Sequence, residues 1–167
     1  MSLILNIDTA GDTASICLAK NGEILALLHN TNQQDHAAWL HTAIDQMMQN
    51  AKHEFRDLSA VAISAGPGSY TGLRVGMAAV KGFCYALHIP LITESTLALM
   101  AFAASLQLKN KKAFLCPMID ARRNEVFTAL FTSDLEEIAP ATAMILDEQS
   151  FSDYFSNNTI AFFGSGA

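Results

Sequence analysis

The sequence predicts an α/β protein of two lobes, each built on a mixed sheet of antiparallel and parallel strands. Three observations carry this. Hydrophobic periodicity alternates along the chain between two residues and 3.6. A glycine-rich loop, Gly66-Pro67-Gly68, sits between a short apolar strand and a long helix. The second half restarts in the order of the first: strand, Asp, strand, strand, helix, strand, Gly-x-Gly.

Leu3–Ile7 reads as a buried strand ending at a polar turn that begins with Asp8. Thr13–Lys20 alternates, with Ala14, Ile16 and Leu18 on one face. Asn21-Gly22 is a two-residue hairpin signal, so Glu23–His29 returns as a third strand and closes an antiparallel meander. Leu40, Ile44, Met47, Met48 and Ala51 recur at helical spacing over His36–Lys52, with Asp35 as the expected N-cap. Ala60–Ala65 follows a helix and is expected to pair parallel with the first strand.

The helix expected over Thr71–Leu87 is apolar around most of its circumference; Arg74, Lys81, Tyr85 and His88 form its polar edge. A glycine inside a helix costs roughly 1 kcal/mol against alanine, so Gly72 and Gly76 call for an offsetting close approach. A strand at Pro90–Thr93 and a helix at Thr96–Leu108 complete the first lobe, set at residues 1–109. The second lobe, residues 110–167, is expected to hold strands at Ala113–Ile119, Glu125–Thr132 and near Ile138. A helix over Leu146–Phe155 and a strand at Thr159–Phe163 should follow. The repeat stops at Gly164-Ser165-Gly166, which suggests a second lobe lacking about 50–60 residues of an ordinary two-lobe α/β protein.

The chain has 167 residues, 51% hydrophobic and 16% charged, enough to bury a core without staples. No apolar run is long enough to span a bilayer and no signal peptide is evident, so the expected compartment is the cytosol, with no membrane partner. Cys17, Cys84 and Cys116 are far apart in apolar runs and read as buried reduced thiols. The net charge of −6 argues against holding nucleic acid unaided. Half of the ten bases fall at Lys109, Lys111, Lys112, Arg122 and Arg123, which reads either as a solvated loop or as a contact for an acidic partner or RNA backbone.

A glycine-rich loop before a helix can cradle an anion, because the backbone comes close and the helix N-terminus favours negative charge. Gly66 and Gly68 are therefore phosphate-binding candidates, with a purely structural turn as the alternative. The loop matches neither the dinucleotide fingerprint, where Thr71 replaces the third glycine, nor the P-loop, where Leu73-Arg74 follows Gly72. Asp8, Thr9 and Thr13 gather a carboxylate and two hydroxyls at a strand tip, suited to a magnesium-bound phosphate or to ordinary turn chemistry. His29, His36, His41, His53 and His88 are scattered, and no metal site is expected. No Gly-x-Ser-x-Gly elbow is present.

Three segments resemble the bacterial TsaB (YeaZ) family. They are Ile7-Asp8-Thr9-Ala10, then Gly66-Pro67-Gly68-Ser69-Tyr70-Thr71-Gly72-Leu73-Arg74-Val75-Gly76, and Ile119-Asp120-Ala121-Arg122-Arg123-Asn124-Glu125-Val126-Phe127. The resemblance implies the actin-like ATPase (ribonuclease H-like) fold, once grouped with M22 glycoproteases. It implies a part in making threonylcarbamoyladenosine on tRNA as a non-catalytic partner of the catalytic subunit TsaD, with a TsaE-like ATPase in the larger complex. tRNA would be met only through that complex, and the chain alone would form a homodimer. TsaD carries His-x-x-x-His metal ligands after its Gly-Pro-Gly helix; the matching positions here are Thr96 and Met100. The resemblance requires no cofactor of this chain and leaves open weak ATP or ADP binding, including at the partner interface. An independent nucleotide-binding ATPase and an M22-type hydrolase are the alternatives.

A meander with two parallel strands covers one side of each long helix. The remaining side is expected to expose some of Trp39, Ala43, Met47, Gly72, Gly76, Ala79 and Phe83 as the interface with a second copy or with TsaD, the alternative being that both helices are fully buried within the lobe.

Overall fold

The computed structural model describes residues 2–32, 35–108, 110, 112–155 and 158–167. The chain divides into two compact units, Met1–Glu94 and Ser95–Ala167. Unit one contains β1 (Leu3–Asp8), β2 (Ala14–Lys20), β3 (Glu23–Asn30), α1 (His36–Asn50), a 3-10 turn (Phe55–Asp57), β4 (Ala60–Ser64), α2 (Tyr70–Leu87) and β5 (Leu91–Glu94). Unit two contains α3 (Thr96–Gln107), β6 (Phe114–Arg122), β7 (Glu125–Phe131), β8 (Glu137–Ile145), α4 (Ser152–Phe155) and β9 (Ile160–Phe163).

The first sheet runs β3-β2-β1-β4-β5 and the second β8-β7-β6-β9. In both, the opening strand pairs antiparallel with the next and parallel with the strand that returns after a helix. The repeat of element order in the sequence is thus a repeat of strand order. This is the mixed α/β architecture, two sheets each combining antiparallel and parallel strands, that the sequence predicts.

Alternation explains the first core. Leu3, Leu5 and Ile7 of β1 and Ala14, Ile16 and Leu18 of β2 are all buried. All of these but Ala14 share one cluster with Leu40, Ile44, Met47 and Met48 of α1 and Val80 of α2. Asn21 and Gly22 both take positive φ, 53° and 87°, the conformation a two-residue hairpin between paired Lys20 and Glu23 requires. In unit two, Leu97 and Ala101 of α3 pack with Leu115, Ala129 and Phe131, while Cys116, Met118, Val126 and Leu130 fill a second cluster.

Four expectations change. The helix α3 belongs to the second unit, because its buried residues pack on β6 and β7; the division falls between Glu94 and Ser95 rather than after residue 109. Asp35 occupies the N-cap position of α1 without capping; its carboxylate accepts from the Asn32 side chain instead. The helix expected over Leu146–Phe155 shrinks to Ser152–Phe155. The Asp147 carboxylate accepts from Gln149 N and Ser150 Oγ, and this local bonding competes with helical turns. The weak strand near Ile138 is the nine-residue β8.

Candidate functional site

The predicted anion site centres on the tip of β1. Asp8 Oδ1 accepts from Ala10 N at 2.9 Å and from Ser64 Oγ at 2.6 Å. Ser64 ends β4 beside Asp8 because Ile7 pairs with Ile63 in the parallel ladder. Sequence reasoning missed Ser64; the signal available was that parallel register, which sets a small polar residue next to the carboxylate. Thr9 is fully buried, and its hydroxyl donates to the Gly72 carbonyl at 2.8 Å.

The glycine-rich loop lies down on this tip. The Ser69 amide donates to Ala10 O at 2.6 Å, and Ser69 Oγ caps α2 by accepting from Gly72 N at 3.3 Å. Any side chain at Gly68 would overlap the Ala10 carbonyl, and any at Gly72 the Thr9 carbonyl. At Gly76 it would overlap the Thr9 hydroxyl. The structure therefore brings Asp8, Thr9, Gly68, Gly72 and Gly76 together, and they serve one another: the glycines let α2 descend onto the strand tip. Gly66, at φ 106°, turns beside Leu73, whereas Thr13 is exposed at the start of β2.

Unit two repeats the arrangement. Asp120 N donates to Ser165 Oγ at 3.1 Å, Gly166 N donates to Met118 O at 3.2 Å, and Asp120 Oδ1 accepts from Arg122 N at 2.7 Å. In both units a backbone amide at the Gly-x-Gly loop donates to the Asp-bearing strand segment, Ser69 N to Ala10 O and Gly166 N to Met118 O; the hydroxyl that ties the two comes from the strand in unit one (Thr9) and from the loop in unit two (Ser165).

Other candidate chemistry is dispersed. Thr96 is buried at the start of α3, and Met100, half-buried, packs against the core beside Gly164. Among the described residues no three His, Cys, Asp or Glu side chains are placed to hold a metal. Burial pushes the thiols of Cys17, Cys84 and Cys116 above their ordinary value, so they are poor nucleophiles. Lys109 and Lys111 lie outside the described residues. Lys112 precedes β6 and Arg122-Arg123 end it, so strand rise separates them by roughly 30 Å and they form no single patch. No helix among the described residues is long and apolar enough to cross a membrane.

The interface expected on small residues is corrected. Ala43, Met47, Gly72, Gly76 and Ala79 are buried inside unit one, because α2 turns its glycine face onto Thr9. Trp39 and Phe83 are half-buried, with Phe83 stacked on Phe55 at 5.5 Å between ring centres. The outward face of α2 instead presents Tyr70, Arg74, Lys81 and Tyr85. The Arg74 guanidinium lies 4.0 Å over the Tyr70 ring, and Tyr85 is 84% exposed.

Thr9→Val tests the role of the strand tip. Loss of the hydroxyl bond at unchanged shape is expected to cost about 1–2 kcal/mol in urea unfolding. Unchanged stability would mean that the bond from the Thr9 hydroxyl to the Gly72 carbonyl does not hold the strand tip to α2.

Comparison with known proteins follows the same lines. The family described as "TsaD: tRNA N6-adenosine threonylcarbamoyltransferase" matches residues 27–151. The chain is 29% identical over 146 residues to the Bacillus subtilis tRNA threonylcarbamoyladenosine biosynthesis protein TsaB, covering 86% of this chain and 62% of that protein. To the Escherichia coli TsaB it is 31% identical over 131 residues, covering 78% and 55%. The chain thus spans less than two thirds of the length of these relatives. The solved structure of YeaZ from Pseudomonas aeruginosa shares the fold, with TM-score 0.81 at 21% identity, over 99% of this chain and 85% of that one.

Proposed function

The chain belongs to the family of TsaD and TsaB (YeaZ) proteins, and from that membership we propose that it is a cytoplasmic, non-catalytic subunit supporting a TsaD-like catalytic subunit. The product is N6-threonylcarbamoyladenosine on tRNA, next to the anticodon. A TsaE-like ATPase joins the larger complex, and tRNA is met through the complex. The chain brings no cofactor of its own, and any ATP or ADP binding is weak.

One observation carries this reading. The positions where the resemblance sets the catalytic subunit's metal ligands hold Thr96, buried at the start of α3, and Met100, half-buried against the second unit's core beside Gly164. A thioether and a hydroxyl make a poor pair for a catalytic iron or zinc. The strand-tip residues support it too, since Thr9 and the Gly68 loop spend their hydrogen bonds on the fold. The catalytic subunit is taken to dock on the outer face of α2, where Tyr70, Arg74 and Tyr85 offer the exposed aromatic and guanidinium anchors that interfaces favour.

The test is co-purification with the TsaD-like protein of the same organism, followed by mass spectrometry of tRNA nucleosides with and without this chain. Modification is expected only when both are present. Tyr85→Glu should lower recovery of the partner about tenfold or more while leaving the melting temperature unchanged. Modification by this chain alone, or undiminished modification without it, overturns the role.

A further inference from the structure

Two hairpins in this protein close with a two-residue loop. In unit one Lys20 pairs with Glu23 around Asn21-Gly22; in unit two Arg122 pairs with Glu125 around Arg123-Asn124. A two-residue loop with positive φ at both central positions is the reason Asn-Gly suits hairpins. Unit one meets that demand with a glycine. Unit two does not: Arg122, Arg123 and Asn124 stand at φ 69°, 56° and 63°, three successive left-handed residues with no glycine among them. Asparagine tolerates that conformation, whereas arginine holds it at a cost in stability. The tip is fixed from both sides, since Arg122 N donates to Asp120 Oδ1 at 2.7 Å and Leu146 N donates to Asn124 O at 3.4 Å. No ion pair offsets the cost. All three side chains are exposed, and among the described residues neither guanidinium has an ion-pair partner. Of the flanking acids, Asp120 accepts the Arg122 amide and Glu125 is half-buried.

We propose that the tip of the β6–β7 hairpin is a phosphodiester-binding site, at which Arg122 and Arg123 hold the backbone of RNA. The identity of that RNA rests on the proposed role in tRNA modification; the chemistry rests on the hairpin. Guanidinium forks match phosphate oxygens, and Asn124 adds a carboxamide donor beside them. A protein partner would call for an apolar anchor, and the three tip residues supply none. Contacts to phosphate position a strand without reading its sequence. The net charge of −6 confines the attraction to this tip, so the chain alone binds RNA weakly and the contact orients RNA that the complex holds.

The experiment is an amide NMR titration of the full chain alone with a tRNA anticodon stem–loop transcript, at about 50 and about 200 mM salt. Amides of residues 122–125 should shift, and those of the Asn21-Gly22 hairpin should not. Arg122→Gln with Arg123→Gln should weaken binding about tenfold or more. The same pair should make the log–log salt dependence shallower by roughly 1.5, the loss of two phosphate contacts. Arg122→Lys with Arg123→Lys should keep most of that slope. Lys52→Gln, exposed elsewhere in the chain, should change neither quantity. Arg123→Gly should raise the melting temperature by about 2–4 °C while it weakens binding, because glycine takes the left-handed turn freely. Unshifted tip amides, a polyglutamate peptide bound in place of the RNA, or a lower melting temperature in Arg123→Gly overturns the proposal. The titration contains no TsaD-like protein, so tRNA modification that persists with a silent hairpin strikes this contact and leaves the subunit role standing.

Discussion

Gly72→Ala is expected to destabilise the first unit by about 2 kcal/mol or more, although alanine is the better helix former. Helix propensity alone favours the change by roughly 1 kcal/mol. Against it stands a backbone oxygen: a Cβ at Gly72 would lie closer than 3.0 Å to the Thr9 carbonyl. That oxygen cannot swing aside as a side chain does, and overpacking of this kind costs about 1–3 kcal/mol, occasionally more. For a unit of this size the loss lowers the melting temperature by roughly 10 °C. The single tryptophan, Trp39 in α1, reports it by fluorescence. Gly82, on the same helix, has nothing within 4 Å of its would-be Cβ, so Gly82→Ala should stabilise by up to about 1 kcal/mol. Two glycines on one helix are thus expected to respond with opposite signs. Equal responses would mean that α2 does not descend onto Thr9. Gly76→Glu should unfold the first unit as well, because its side chain would overlap the Thr9 hydroxyl.

Gly164→Ala should damage the second unit to a similar degree, for two reasons that add. Gly164 sits at φ 110°, a conformation that L residues rarely adopt. Its added methyl would also overlap the Met118 carbonyl and come within 2.7 Å of the Met100 methyl. The thioether can give way; the carbonyl, in the middle of β6, cannot. A cost of about 2 kcal/mol or more is expected. Amides of β6 and β9 should exchange faster, because these two strands form one parallel ladder. Wild-type stability in Gly164→Ala would rule out the close seat of the Gly-Ser-Gly loop.

Strand alternation made the meander legible to within a residue or so, since burying one face of β1 and β2 leaves a period of two that nothing else produces. The repeat was legible for the same reason: each half must close its own sheet. What periodicity cannot give is the neighbour that a face meets. The small residues of α2 were visible as a stripe, but their partner, the Thr9 backbone, lies 63 residues away in sequence, so the stripe read as surface when it is core. Asp8 and the glycine loop stand out in the sequence because their residue types are distinctive, and the structure sets them side by side. Ser64 was not, because serine at a strand end is ordinary until the parallel register sets it against Asp8. The segment from Leu146 failed for a local reason: Asp147 and Ser150 bond their own backbone before a helix can start.

The parallel pairing of β1 with β4 also sets an order of events in time. The β1–β2–β3 meander closes through short loops, whereas Ser64 reaches Asp8 across 56 residues and Gly72 reaches Thr9 across 63. Loop closure over such separations is slow relative to hairpin formation. On a growing chain the meander is complete before β4 and α2 exist, and the α2–Thr9 seat is among the last contacts made. An interaction absent from the folding transition state acts on escape from the native state rather than on arrival. Gly72→Ala should therefore leave the refolding rate nearly unchanged and express its cost as faster unfolding, so that the fit of α2 over the strand tip governs how long the first unit stays folded once made.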